Sequence, residues 1–334
     1  MRHVLWTTLL TCALATSAAA QEIRASGSTA VFSLVTKWSQ AYEKTGGVRL
    51  DYRPVGSAAG LTDVRHKLVD LAVSEAPLVS AQLLRDGLIQ VPLAIGAIVV
   101  VVNVDGVSAG QLRLTGPLLA DIYFGKVTKW NAPAIVAINP DLKLPDLKIQ
   151  VIHRSEGSGS TFTLADYLAK VSLDWRAGVG ASPLLQWPTG TGVRHSSGVV
   201  ESVARIRGAI GYVDYGNAVR AKLAYALIQN PAGNFIAPGK ESFQAAVADV
   251  DWARNQDFAI TLTNGPAANA YPIMSIAFAV IRHYPTDAKR ARDLRSFLRW
   301  ALASGQDMAA ALSYVPLPPS LIEQIDAYWN TETR

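Results

Sequence analysis

A chain of 334 residues, half of them hydrophobic and 17% charged, carries enough apolar material for substantial cores and is expected to divide into two domains. The net charge of +5 comes mostly from scattered lysines and arginines, which argues against nucleic-acid binding. The single cysteine, Cys12, leaves no material for a disulfide framework or a thiolate metal site.

The chain opens with Arg2, a mostly apolar run from Val4 to Ala15, and Ala18-Ala19-Ala20 before Gln21. This reads as a cleaved export signal over residues 1–20, with an apolar stretch too short to cross a bilayer. Cys12 falls inside it, so the mature chain has no cysteine nucleophile. Thr11 directly before Cys12, after a very short apolar run, argues against a lipoprotein site.

From there the pattern alternates. Ile23 to Ala25 predicts a short strand, and Val31, Leu34, Val35, Trp38 and Tyr42 recur at helical spacing. Val48 to Pro54 predicts a strand with Leu50 and Tyr52 on one side. Leu61 to Leu68 predicts a helix, and Leu71 to Ser74 a short buried strand. Val91 to Asn103 is an apolar run long enough to pass from one domain to the next, although Pro92 interrupts it. Leu118 to Phe124 predicts a helix, Asn139 to Pro145 a loop, and Gln150 to His153 a strand. A helix follows with Phe162, Ala165, Leu168 and Ala169 as its apolar stripe. Ala209 to Val213 and Ile273 to Ile281 predict strands, and helices are expected over Asp287 to Ser304 and Pro319 to Trp329. The basic residues Lys289, Arg290, Arg292, Arg295 and Arg299 then form the solvated face of the first of these helices. Strands and helices in alternation define an α/β chain.

Three strand-to-helix turns are rich in Ser, Gly and Thr: Ala25 to Thr29, Gly56 to Gly60 and Gly157 to Thr161. Backbone N–H groups at a helix start attract anions, small residues let the backbone come close, and hydroxyls add donors. One such turn is an ordinary N-cap. Three in one chain, the third beside Arg154 and Glu156, point to a site for a small tetrahedral oxyanion. His66, His153, His195 and His283 show no zinc-motif spacing, so no metal is expected.

Several stretches carry a more specific likeness: Ser74-Glu75-Ala76-Pro77-Leu78, Asp121 to Lys126 followed by Lys129-Trp130, Asn139 to Pro145, Arg154 to Phe162, Trp187 to Gly190, and Gly208 to Val213. In this order and spacing the chain resembles the periplasmic phosphate-binding proteins of bacterial phosphate ABC importers, the PstS type, from about Ile23 to its C-terminus. The resemblance implies a type II periplasmic binding protein fold, two α/β lobes with a ligand cleft between them. Lobe I would comprise residues 21–102 and 276–334, and lobe II residues 103–275. It further implies a periplasmic, monomeric receptor that needs no cofactor, closes on inorganic phosphate and is recognised by the membrane permease subunits.

Carried over residue by residue, the resemblance assigns phosphate contacts to Thr29 and the amide of Ala30, to Ser57, to Arg154, and to Ser158, Gly159 and Ser160. Glu75 would accept the proton that phosphate still carries, and Glu156 would orient Arg154. The family has Asp at both carboxylate positions, Phe at the position of Ala30 and Thr at that of Ser160. The longer Glu side chains either are compensated by the backbone or redirect the pocket to another oxyanion, such as arsenate or a phosphonate, feeding a sensor or another transporter. A serine hydrolase is the remote alternative, because Ser158 sits in a glycine turn near His153. Glu156, however, stands where a nucleophile elbow needs Gly. Gly125-Lys126 and Gly239-Lys240 lack a Walker A frame, so the chain is not the ATPase of a transporter.

Overall fold

The structure, a computed structural model, describes residues 22–332; the export signal with Cys12, and the cleavage point before Gln21, lie outside the described residues. The first half of the fold begins with β1 (Ile23–Gly27), α1 (Phe32–Lys44), β2 (Leu50–Arg53), α2 (Ser57–Arg65) and β3 (Leu71–Ser74). The three strands run parallel in the order β2-β1-β3. In β2 the alternation holds, with Leu50 and Tyr52 buried and Asp51 and Arg53 exposed.

The apolar run becomes β4 (Leu88–Val102), fifteen residues long and almost wholly buried. The second half adds β5 (Gln150–Arg154), α3 (Gly159–Val171), β6 (Thr191–Val193), α4 (His195–Arg205), β7 (Ala209–Asp214), α5 (Tyr215–Arg220) and the short β8 (Ala224–Tyr225). The chain then returns through β9 (Met274–Arg282) and ends with α6 (Ala288–Ser304) and α7 (Pro319–Glu332). The nine strands form one curled sheet in the order β2-β1-β3-β9-β4-β7-β5-β6, with β8 also on β4.

Two strands tie the halves together. β9 inserts antiparallel between β3 and β4, and β4 pairs with β9 over Leu88–Ala97 and with β7 over Ile98–Val102. The register slips by one residue where Ala277 and Phe278 face Ala94 and Pro92. Pro92 is tolerated in a central strand because the irregularity removes the need for its missing N–H. The C-terminal helices pack on the first half: Trp38 Nε1 donates to the Gly305 carbonyl at 2.8 Å, and Tyr42 meets Phe297 edge to face.

On α6 the apolar stripe Leu294, Leu298 and Ala301 is buried, with Phe297 and Leu302 beside it. Its basic face is not wholly solvated, as the spacing suggested. Arg290 turns inward and, with Arg282, pairs with buried Asp70; Arg299 pairs with Asp326. A buried carboxylate needs paired partners, and this requirement outweighs the solvation of Arg290. None of the described helices is long and apolar enough to cross a membrane.

Candidate anion-binding site

The three Ser/Gly turns meet at the junction of the two halves. The second and third are pressed together. Ala58 N–H donates to the Gly157 carbonyl at 3.2 Å, and Gly159 N–H donates to Ser57 Oγ at 3.1 Å. Gly56 (φ 98°) opens α2, and a Cβ there would lie 2.9 Å from the Gly157 carbonyl oxygen. Only glycine satisfies both the positive φ and the close approach. Ser57 Oγ also receives the Glu75 N–H, at 3.5 Å. With its lone pairs engaged, Ser57 directs its own proton outward as a donor.

The first turn departs from expectation. α1 begins at Phe32, so Thr29 and Ala30 lie in the turn ahead of the helix and not in its first turn. The Ala30 amide donates to Ser28 Oγ at 3.1 Å, so it is already engaged within its own turn. Thr29 faces Ser196 of the second half, Oγ1 to Oγ at 2.8 Å.

At the third turn Ser158 caps α3, accepting from Thr161 N–H at 3.4 Å. Its hydroxyl is therefore used as a cap, and His153, the would-be base, lies stacked 4.7 Å from the Trp187 ring. Ser160 Oγ is buried and finds no partner among the described residues. Arg154, at the end of β5, is buried and gives Nε (3.0 Å) and Nη2 to Glu156 Oε1. The same oxygen accepts the His195 N–H at 2.9 Å. The Arg154 amide donates to Tyr212 Oη at 3.1 Å, and Tyr212 stacks on Trp187. An aromatic ladder thus fixes the strand end that carries the guanidinium.

Glu75 follows β3 directly and is buried, and its Oε2 has no hydrogen-bond partner among the described residues. Burial pushes its carboxyl up to about 7. The Ser28 hydroxyl pulls the other way, the charge of Asp214 adds to the rise, and Arg154 opposes it. Asp214, at the N-cap of α5, is likewise pushed by burial up to about 6, against the pull of Asn217. Burial also works against ionisation of Glu156, but the bonds and charge of Arg154 outweigh it and hold this carboxyl below its ordinary range. The cluster therefore contains a firmly ionised carboxylate locked to arginine and a second carboxyl poised near neutrality.

A raised carboxyl binds its proton more tightly folded than unfolded, so its contribution to stability is full below the ordinary carboxylate range and is lost as pH rises through about 7. The ligand-free Glu75→Gln variant is accordingly expected to be more stable than the parent at pH 8, by about 3 kcal/mol, and equal to it near pH 3.5. Urea midpoints at the two pH values check this; a constant difference would contradict it.

Of the expected residues, Ser57 is bonded to Glu75 and Gly159, Arg154 is bonded to Glu156, and Thr29 reaches the latter pair through Ser196, which follows His195; Ala30 and Ser158 bond within their own turns, and Ser160 adjoins Gly159. Sequence reasoning missed Ser28, His195, Ser196 and Asp214. The run His195-Ser196-Ser197-Gly198 was a usable signal, a fourth Ser/Gly-rich helix start shortly after a strand. Among the described residues no group of His, Cys, Asp or Glu could hold a metal ion.

A curled α/β sheet with convergent turns between its halves is the architecture of a two-lobe binding protein. A family model described as a PBP superfamily domain matches residues 13–304. The chain is 42% identical over 311 residues to the phosphate-binding protein PstS of Xylella fastidiosa (strain 9a5c), covering 93% of this chain and 85% of that protein. It is 38% identical over 317 residues to PstS of Haemophilus influenzae, covering 95% of each. The fold matches the crystal structure of a phosphate-binding protein from Stenotrophomonas maltophilia with a TM-score of 0.72 at 18% identity, over 92% of this chain and 94% of that one. The chain belongs to the PBP superfamily and, within it, to the PstS family of phosphate-binding proteins.

Proposed function

We propose that the chain binds inorganic phosphate between the two halves of its sheet and delivers it, as a periplasmic monomer, to the membrane permease subunits of a phosphate ABC importer. The closing bodies are residues 21–102 with 276–334 and residues 103–275. The observation that carries this reading is the pairing of opposite functions in one buried cluster. Arg154 and the hydroxyls of Thr29, Ser57 and Ser160 can donate, while Glu75 Oε2 stands unpartnered as an acceptor. The Gly159 and Ala30 amides join the donor set by exchanging Ser57 Oγ and Ser28 Oγ for the anion, with Ser158 and Glu156 holding the third turn and the guanidinium in place.

This donor and acceptor balance selects an oxyanion that still bears a proton. Phosphate offers that proton to the ionised form of Glu75, which predominates above about pH 7; sulfate has none and meets that carboxylate's repulsion. Anion and protein donors are mutually satisfied only when the halves are together, so the ligand selects the closed arrangement. The chemistry is capture without bond cleavage, in keeping with the transport role of the family.

Calorimetric titration of the protein, freed of ligand by unfolding and refolding, tests the reading with phosphate, arsenate and sulfate side by side. One-to-one phosphate binding with sulfate silent is expected. A folded sample that gives neither heat nor a thermal shift with phosphate would overturn it, and binding of arsenate alone would favour the other-oxyanion reading that the two Glu residues raise.

A further inference from the structure

Helix α4 reaches the anion cluster from a side that the three Ser/Gly turns do not cover. Its first residue, His195, has φ 62°, a left-handed conformation uncommon outside glycine. The turn is anchored by the His195 N–H, which donates to Glu156 Oε1 at 2.9 Å. The next residue, Ser196, is 4% exposed and makes two contacts to Thr29. Its Oγ lies 2.8 Å from Thr29 Oγ1, and its N–H donates to the same oxygen at 3.3 Å.

We infer that Ser196 is a positioning residue that latches the two halves around the anion; this rests on the phosphate-binding reading above. The argument is one of connectivity. Arg154, Glu156, His195 and Ser196 all belong to the second half, between β5 and β7, and stay linked to one another however the halves move. Thr29 follows β1 in the first half, and 167 residues separate it from Ser196. The Thr29–Ser196 pair therefore forms when the halves meet and breaks when they part. Thr29 Oγ1 accepts from Ser196 N–H, so the latch also orients the Thr29 hydroxyl while the anion is held. Ser196 itself acts only through Thr29.

A latch that exists only in the closed arrangement governs release and leaves capture alone. For Ser196→Ala, radiolabelled inorganic phosphate chased with excess unlabelled phosphate is expected to leave about tenfold faster, the worth of one buried hydrogen bond. The association rate stays within about twofold of the parent, and the ligand-free protein melts at the parent temperature. Ser196→Thr keeps the hydroxyl at a position that borders, with Phe32, Pro54 and Val200, a cleft of about 540 Å³, and is expected to restore the parent release rate. Parent-like release from Ser196→Ala, or a loss shared between association and ligand-free stability, overturns the latch while phosphate binding by the parent stands. A parent protein that retains no phosphate overturns both the latch and the functional reading.

Discussion

Phosphate affinity is expected to fall on the order of a thousandfold when Arg154 is replaced by alanine, and only about tenfold when Ser160 is, in calorimetry at neutral pH. The difference follows from charge and burial. Arg154 is 3% exposed, and each hydrogen bond from a buried cation to an anion is worth about 1.5–3 kcal/mol. Two such bonds from one guanidinium account for the larger loss. The substitution also removes the cation that Glu156 and Glu75 share, so the incoming anion meets two carboxylates with nothing to offset them. Ser160 contributes a single neutral donor. Arg154→Lys recovers part of the loss, since an ammonium keeps the charge but cannot offer the planar fork. Equal and small losses at Arg154 and Ser160 would remove Arg154 from the site.

Gly159→Ala is expected to abolish phosphate binding without unfolding the protein. An added Cβ would lie 2.2 Å from Glu75 Oε2 and 2.6 Å from both Glu75 Cβ and Ser57 Oγ. Glu75 and Ser57 are buried and have nowhere to retreat. The clash lies between the third turn and the first half, so it bars the halves from meeting. Within α3 alone, alanine is the better residue, by up to about 1 kcal/mol relative to glycine. The ligand-free variant should therefore melt no lower than the parent, while phosphate no longer raises its midpoint. Thermal melts with and without phosphate, joined to calorimetry, check this; retained binding would mean that the pocket tolerates a methyl group where it has no space.

The elements were legible wherever local pattern decides them. Leu71 to Ser74 was read to the residue because four consecutive apolar or small residues are bounded by Asp70 and Glu75. The run Val91 to Asn103 was legible as a buried strand from its uniform apolar character, and the strand begins three residues earlier, at Leu88, beyond the polar Gln90 that interrupts the run. The beginning of α2 was missed by four residues: Ser57-Ala58-Ala59-Gly60 carries no apolar periodicity, and the helix starts there because Gly56 can hold a positive φ. The insertion of β9 between β3 and β4 left no local trace, since its register depends on partners some 200 residues away. At the site, motifs and resemblance named the residues that line the cluster. They did not name Ser196 or Asp214, whose contacts come from across the sheet, nor did they foresee that Glu156 Oε1 accepts the His195 amide as well as the Arg154 guanidinium.

β4 has a bearing on how such a receptor works through repeated cycles. One continuous ladder, fifteen residues long, serves both halves, with β9 beside its first part and β7 beside its second. When the halves part, the ladders of β4 with β9 and β7 can stay whole while the strand twists, and the backbone hydrogen bond given up is the one at the cleft, from Ala58 N–H to the Gly157 carbonyl. The energy difference between the open and closed arrangements is then left to the few polar contacts at the cleft and to the cargo itself. A machine built this way wears nothing out in its hinge, and its affinity can be retuned by changes at the cleft surface while the pivot is left alone.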